Sequence, residues 1–254
     1  MKSKKLFFTF FLAVLMTAAI LSLFLGNAAS VFAATYQQEV VNWNMKDIWD
    51  NKTNREVPAF GIYDFMVECG PRAGLTALGF YDYVYPNLLD GEVYDSNIHP
   101  ITNSYMSFYS EYEELKTLMK MTSTGVTVRN FKNGLEDFVE SRGHSVTFTS
   151  VMSKGKADLT QCIFAFAAQK PVVMFLDGFK FVADHEEIAN RDTYTYATED
   201  NVKHIVLVYG HRLFTYDYSV RKEFYLVNSG YAGNVMMPID SFLDVDDAYI
   251  IDIT

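Results

Sequence analysis

The spacing of apolar residues along this chain changes period near residue 170. Before that point they recur at helical intervals. Arg72–Tyr85 carries Ala73, Ala77, Phe80, Tyr81 and Val84 on one face, with Pro71 just ahead at a first-turn position. A short acidic helix is predicted over Glu111–Met121. A clearer helix runs from Phe131 to Arg142, with Phe131, Leu135, Phe138 and Val139 on one face, Asn130 as its cap and Gly143 as its stop. Val146–Val151 alternates as a strand. Ala157–Gln169 then groups Leu159, Cys162, Ile163, Phe166 and Ala167, and Pro171 ends it.

Beyond residue 170 the apolar runs are short and bounded by turn residues: Val172–Leu176, Ile205–Tyr209, Phe224–Val227 and Tyr249–Ile251. These read as strands. Helices in the first half and strands in the second predict an α+β fold, with antiparallel strands packed on helices. Residues 86–108, rich in Asn, Asp, Gly, Pro and Tyr, read as a long surface loop. Residues 34–56 are polar and mixed and read as an N-terminal arm laid on a domain over 57–254.

The first 33 residues belong to neither pattern. Lys2, Lys4 and Lys5 precede an uncharged stretch from Leu6 to Leu25, and the small-residue segment Asn27–Ala34 follows. This order is that of a secretory signal peptide, with Val31 and Ala33 placed for cleavage after Ala33. The competing reading is an uncleaved anchor, since the apolar stretch is about long enough to span a bilayer. Both readings put the rest of the chain outside the cytoplasm, secreted or membrane-anchored. If cleaved, the leader engages the membrane only transiently.

Composition narrows the classes. The 254 residues are 50% hydrophobic and 20% charged with 14 Gly and 6 Pro, which excludes a disordered chain. The formal charge is −10, and removal of 1–33 takes away three lysines and no acid, leaving −13. That balance argues against nucleic acid as a partner. Two cysteines, Cys69 and Cys162, are too few for a disulfide framework or a Cys-rich zinc site. The acidic group Asp244, Asp246 and Asp247 lacks a Ca²⁺-binding loop around it and reads as a solvated turn.

The cysteines are unequal. Cys69, in Glu68-Cys69-Gly70-Pro71, lies at a predicted helix start, where exposed N–H groups and the macrodipole favour the nucleophilic thiolate. Cys162 lies on an apolar helix face and reads as core. A cysteine nucleophile needs a base and the base an orienting partner. Among five histidines, His204 opens the strand Ile205–Tyr209, while His99, His144, His185 and His211 have surface or loop readings. Asn228 ends the next strand. Antiparallel pairing of the two strands is expected to bring Asn228 to the His204 ring; read alone, Asn228 is a turn residue before Ser229-Gly230.

Cys-Gly-Pro at a helix start, a His 135 residues on and an Asn 24 later resemble the papain-like cysteine peptidases in order and spacing. Cys69-Gly70-Pro71-x-Ala73, Phe131-Lys132-Asn133-Gly134-Leu135 and Val227-Asn228-Ser229-Gly230-Tyr231 are similar to motifs of the secreted peptidases related to bacteriocin-processing (double-glycine leader) peptidases. The likeness spans residues 57–254. It implies a papain-like domain whose helical N-terminal half carries the nucleophile at a helix N-terminus and packs on a C-terminal antiparallel sheet. It also implies a secreted thiol protease acting on peptides or proteins without cofactor or metal. Cys69 would be the nucleophile, His204 the general base and acid, and Asn228 the orienting residue, with a thioester acyl-enzyme between two half-reactions.

Two positions depart from that pattern. A Gln about six residues before the cysteine would supply an oxyanion-hole donor, and here Tyr63 stands there beside Asp64. Arg72 replaces the small hydroxyl residue common after Cys-Gly-Pro. Losing one oxyanion donor costs about 10²–10³ in rate. The alternatives are therefore a weak or inactive binding or toxin-type secreted protein, or a transglutaminase-like acyl transferase.

Overall fold

A computed structural model describes residues 35–42, 44–55, 57–58, 60, 68–95, 100, 105–230 and 233–254. The leader, Tyr63, Asp64 and His99 lie outside the described residues. Residues Tyr36–Thr254 form one compact unit, which includes the segment read as an arm.

Ten strands and four α-helices are described. The strands are β1 (Thr35–Val41), β2 (Met45–Lys52), β3 (Val146–Ser150), β4 (Met152–Ser153), β5 (Lys156–Ala157), β6 (Val172–Ile188), β7 (Arg191–Tyr216), β8 (Arg221–Asn228), β9 (Asn234–Pro238) and β10 (Asp244–Ile253). The helices are α1 (Cys69–Asp82), α2 (Tyr109–Leu118), α3 (Val128–Ser141) and α4 (Leu159–Ala167). Eight strands make one sheet in the order β3-β10-β6-β7-β8-β9, with β1 and β2 also on β7; β4 and β5 pair separately.

This corrects the expected α+β, papain-like arrangement with a helical N-terminal half. The fold is dominated by an antiparallel sheet, and the first two described elements are strands of it. Two things hid this in the sequence. The apolar run at 172–176 is only the buried start of a strand of 17 residues, and that at 205–209 only a buried part of one of 26. Their outer parts alternate apolar and polar residues, as one-sided ribbons do. Val182, Tyr194, Tyr196, Phe214 and Phe224 bury one face there. The β6–β7 hairpin closes through Ala189 and Asn190, both at positive φ (50° and 62°), the pair of left-handed residues that a tight hairpin turn requires.

The helices fall close to their expected positions, with caps that differ. Thr127, not Asn130, caps α3, its Oγ1 accepting from the Asn130 N–H at 3.2 Å. Asp158 caps α4 by accepting from Thr160 and Gln161 at 2.9 and 3.2 Å. The sheet lies between helices. Val173, Phe175, Ile205, Leu207 and Ile251 pack against α1, α2 and α3. Met174, Leu176, Val206, Val208 and Val227 pack on the other face against Cys162, Ala165 and Phe166 of α4.

The outer ribbon has a polar centre. Asp192 is buried and accepts from the Tyr216 hydroxyl at 2.6 Å; its other oxygen lies 3.1 Å from His185 Nε2. The Tyr194 hydroxyl meets that of Tyr216 at 2.6 Å, and the His185 ring stacks on Tyr194. Removing the carboxylate leaves buried donors without acceptors. Asp192→Ala is expected to cost about 2–3 kcal/mol, a fall in Tm of roughly 5–10 °C for a chain of this size, read by thermal unfolding. An unchanged Tm would show that the network does not stabilise the ribbon.

Candidate functional site

Cys69 is the first residue of α1. Glu68, its cap position, gives no side-chain cap bond, so the first-turn N–H groups are left for other partners. The helix end is pressed closely on its surroundings. A Cβ on Gly70 would meet Val126 at 3.0 Å and Ile205 at 3.5 Å, so the space beside Gly70 is filled by protein side chains. Cys69 is partly exposed, whereas Cys162 is buried.

Cys69 borders a cavity of about 360 Å³. Its walls are Val126, Val128, Phe175, Leu176 and Ile205, the hydroxyl-bearing Thr122, Thr124 and Thr127, and Asn130. Lys120, Lys203 and Asp246 add charge, and His204 also lines it. Lys203 is paired with Asp246 at 2.7 Å, which accounts for part of the C-terminal acidic group. Cys69 and His204, 135 positions apart, are thus brought to one cavity.

They arrive from different sides of the sheet. Ile205 faces α1, and the strand alternation turns His204 the other way, level with Leu176 on β6. Its ring is buried, stacked on Phe179 at 5.2 Å and edge-on to Phe181 at 6.2 Å. Nε2 lies 2.8 Å from the Ser229 carbonyl oxygen. That oxygen only accepts, so Nε2 carries the proton and the neutral ring has its lone pair on Nδ1.

Asn228 is not the residue bonded to the ring. Register pairs Leu207 with Asn228, three positions from His204 and about 10 Å along the strand. The Asn228 amide is used elsewhere. Its Nδ2 donates to the Pro58 carbonyl at 3.3 Å and to Asn234 Oδ1 at 3.2 Å, and its Oδ1 accepts from the Gly230 N–H at 3.1 Å. It shapes the turn whose Ser229 carbonyl holds the imidazole. A backbone carbonyl has no residue-type signal, so sequence reasoning missed this acceptor. Phe179 and Phe181 were detectable in principle, as an alternating aromatic pair close after the Val172–Leu176 run.

Burial sets the charge states. It pushes the Cys69 thiol up, against the N–H groups of Ile205, Gly70 and Cys69 itself and the nearby Arg72 cation, all of which favour thiolate. The helix-start signal is present in those amides, but desolvation outweighs it. Burial also pushes His204 down to about 4; the Ser229 bond opposes this and Arg72 adds to it. Cys162 is pushed up to about 12, again by burial. The other described histidines lie elsewhere: His144 against Tyr85, His185 in the outer ribbon, and His211 buried farther along β7. No protein-family model, curated protein or solved structure matches the chain.

The His204 shift has a consequence for stability. An unfolded histidine takes up a proton below about pH 6.5, whereas the folded one stays neutral to about 4. The unfolded state binds more protons in that window, so stability falls as pH falls through it, by up to about 3 kcal/mol. A His204→Gln variant, which lacks the titration, is expected to lose less stability than the wild type between pH 6.5 and 4 in denaturant unfolding. Parallel losses in the two proteins would show that His204 is not held neutral.

Proposed function

We propose that this chain is a cysteine-type peptidase, with Cys69 as nucleophile and His204 as general base and acid. The observation that carries the reading is that a cysteine opening a helix and a neutral histidine with its lone pair on Nδ1 border the same cavity. In this reaction Nδ1 takes the thiol proton, directly or through one water, and sulfur attacks the peptide carbonyl. The imidazolium then gives its proton to the departing amine, and water hydrolyses the thioester. Asn228 contributes at one remove, by fixing Gly230 N–H and hence the carbonyl that orients His204. The ordered Cys-Gly-Pro, His and Asn motifs, which resemble those of secreted bacteriocin-processing-type peptidases, favour a peptide substrate. The basic, apolar and small-residue order of residues 1–33 supports secretion.

A second reading, a non-catalytic secreted binding protein, is favoured by one observation. Burial moves both groups toward neutrality, so the pair does not rest as thiolate and imidazolium. Labelling and hydrolysis separate the two readings. A thiolate-directed alkylator applied to the native protein is expected to modify Cys69 and spare Cys162. Cys69→Ala is expected to lose peptide hydrolysis by about 10³-fold or more, while Cys162→Ala retains it. Equal labelling of both cysteines, or hydrolysis that survives in Cys69→Ala, would overturn the peptidase assignment.

A further inference from the structure

Arg72 stands one turn after Cys69 on α1 and is almost completely buried, at 8% exposure. A buried arginine in the first turn of a helix is electrostatically unfavourable, because the N-terminus already carries partial positive charge. Something else must hold it there. Its Nη1 donates to the Gly230 carbonyl at 3.1 Å, across 158 residues of sequence. Gly230 is at φ 73°, a conformation that favours glycine, and its Cα lies against the Arg72 stem: an added Cβ would sit 3.8 Å from Arg72 Cδ. The preceding carbonyl, of Ser229, is the one that accepts from His204.

We propose that Arg72 is a positioning residue, its guanidinium tying the Asn228–Gly230 turn to the helix that carries Cys69 and so fixing the carbonyl that holds the His204 ring. The role rests on the reading of Cys69 and His204 as the reacting pair. The tie itself is a geometric fact of two elements that otherwise belong to distant parts of the chain.

The charge of Arg72 acts on both groups in one sense. It favours thiolate at Cys69 and disfavours imidazolium at His204. Arg72 thus supplies beside the sulfur the positive charge that a neutral His204 does not. An arginine at this position, which departs from the resembled motif, then has a specific job here.

The test uses two readouts that do not depend on hydrolysis. One is the pH profile of alkylation at Cys69. The other is the His204 titration followed by NMR. In Arg72→Met, which keeps much of the stem and removes the charge and donors, both midpoints are expected to move: that of Cys69 rises by about one pH unit, and that of His204 shifts by the balance of the lost charge, which raises it, and the loosened Ser229 bond, which lowers it. Arg72→Lys, which restores the charge, is expected to return both toward the wild type. A folded Arg72→Met protein with both midpoints unmoved would reduce Arg72 to packing and overturn the proposal. Should Arg72→Met not fold, the wild type decides: an NMR contact between the Arg72 guanidinium and Gly230 is expected, and its absence overturns the tie. If the wild type hydrolyses no peptide while these midpoints still move, the peptidase reading fails while the tie between Arg72 and the Gly230 turn stands.

Discussion

The pleat of β7 is the constraint on which the rest of the structure depends. This strand pairs with β6 over Arg191–Val208, with β8 over Leu207–Thr215 and with β2 over Gly210–Tyr216. It therefore joins the inner sheet to the outer ribbon and to the N-terminal strands. Alternate residues along it serve different cores, because successive side chains of a strand leave on opposite faces. Ile205 and Leu207 belong to the core under α1, and Val206 and Val208 to the core under α4. That parity decides how β7 meets Cys69. A one-residue slip would bring the imidazole to the helix and put Ile205 in the aromatic box, and would also turn four buried apolar residues to the wrong face. The hydrophobic terms fix the register, and the site inherits it.

Electrostatics at the site follow from the same packing. A thiol at a helix N-terminus usually has its pKa lowered by amides and macrodipole. Here Val126 and Ile205 press so closely on Gly70 that desolvation becomes the largest influence, and it outweighs three N–H groups and the Arg72 charge. His204, enclosed by Phe179 and Phe181, is driven to neutrality by the same cause. Two neutral partners at rest are compatible with general-base chemistry, in which the proton moves as the sulfur attacks. They are not the preformed ion pair of an exposed thiolate site.

Local signals in the sequence were strong where one element answers to one period. The faces of α3 and α4 were legible because each packs a single apolar stripe, Phe131, Leu135, Phe138 and Val139 all being fully buried, whereas α1 is buried on every side. Strand extents were not legible. Residues 182–198 mix charged and aromatic residues, and their strand character comes from pairing within the β6–β7 hairpin and from packing on Val41, Phe214 and Phe224. The N-terminal strands were missed for the same reason. β2 is almost wholly exposed along its length and is a strand because β7 offers it an edge. At the site, the start of α1 was legible, whereas His204, expected to open a strand, lies inside β7. The partner of His204 was not legible, because tertiary register placed a main-chain carbonyl where an amide side chain was expected.

Asn228 shows how a candidate site residue acquires a structural task. Its amide reaches Pro58, and its neighbour Asn234 donates to the Val57 carbonyl at 3.2 Å. Val57 is fully buried in the main core, and Thr53 N–H donates to the Tyr209 carbonyl at 3.0 Å. The segment from β2 to Pro58 is thus latched to β7 and to the β8–β9 pair, and a cut that released it would expose core. Because the same amide also shapes the turn at Gly230, deleting it loosens the N-terminal segment and the His204 acceptor together. An effect of an Asn228 substitution at the site therefore does not separate an orienting role from a structural one. The Ser229 contribution to the ring is a carbonyl that no side-chain substitution removes. The information that orients His204 resides in the turn, and the turn is specified by Asn228, Gly230 and Arg72 acting together.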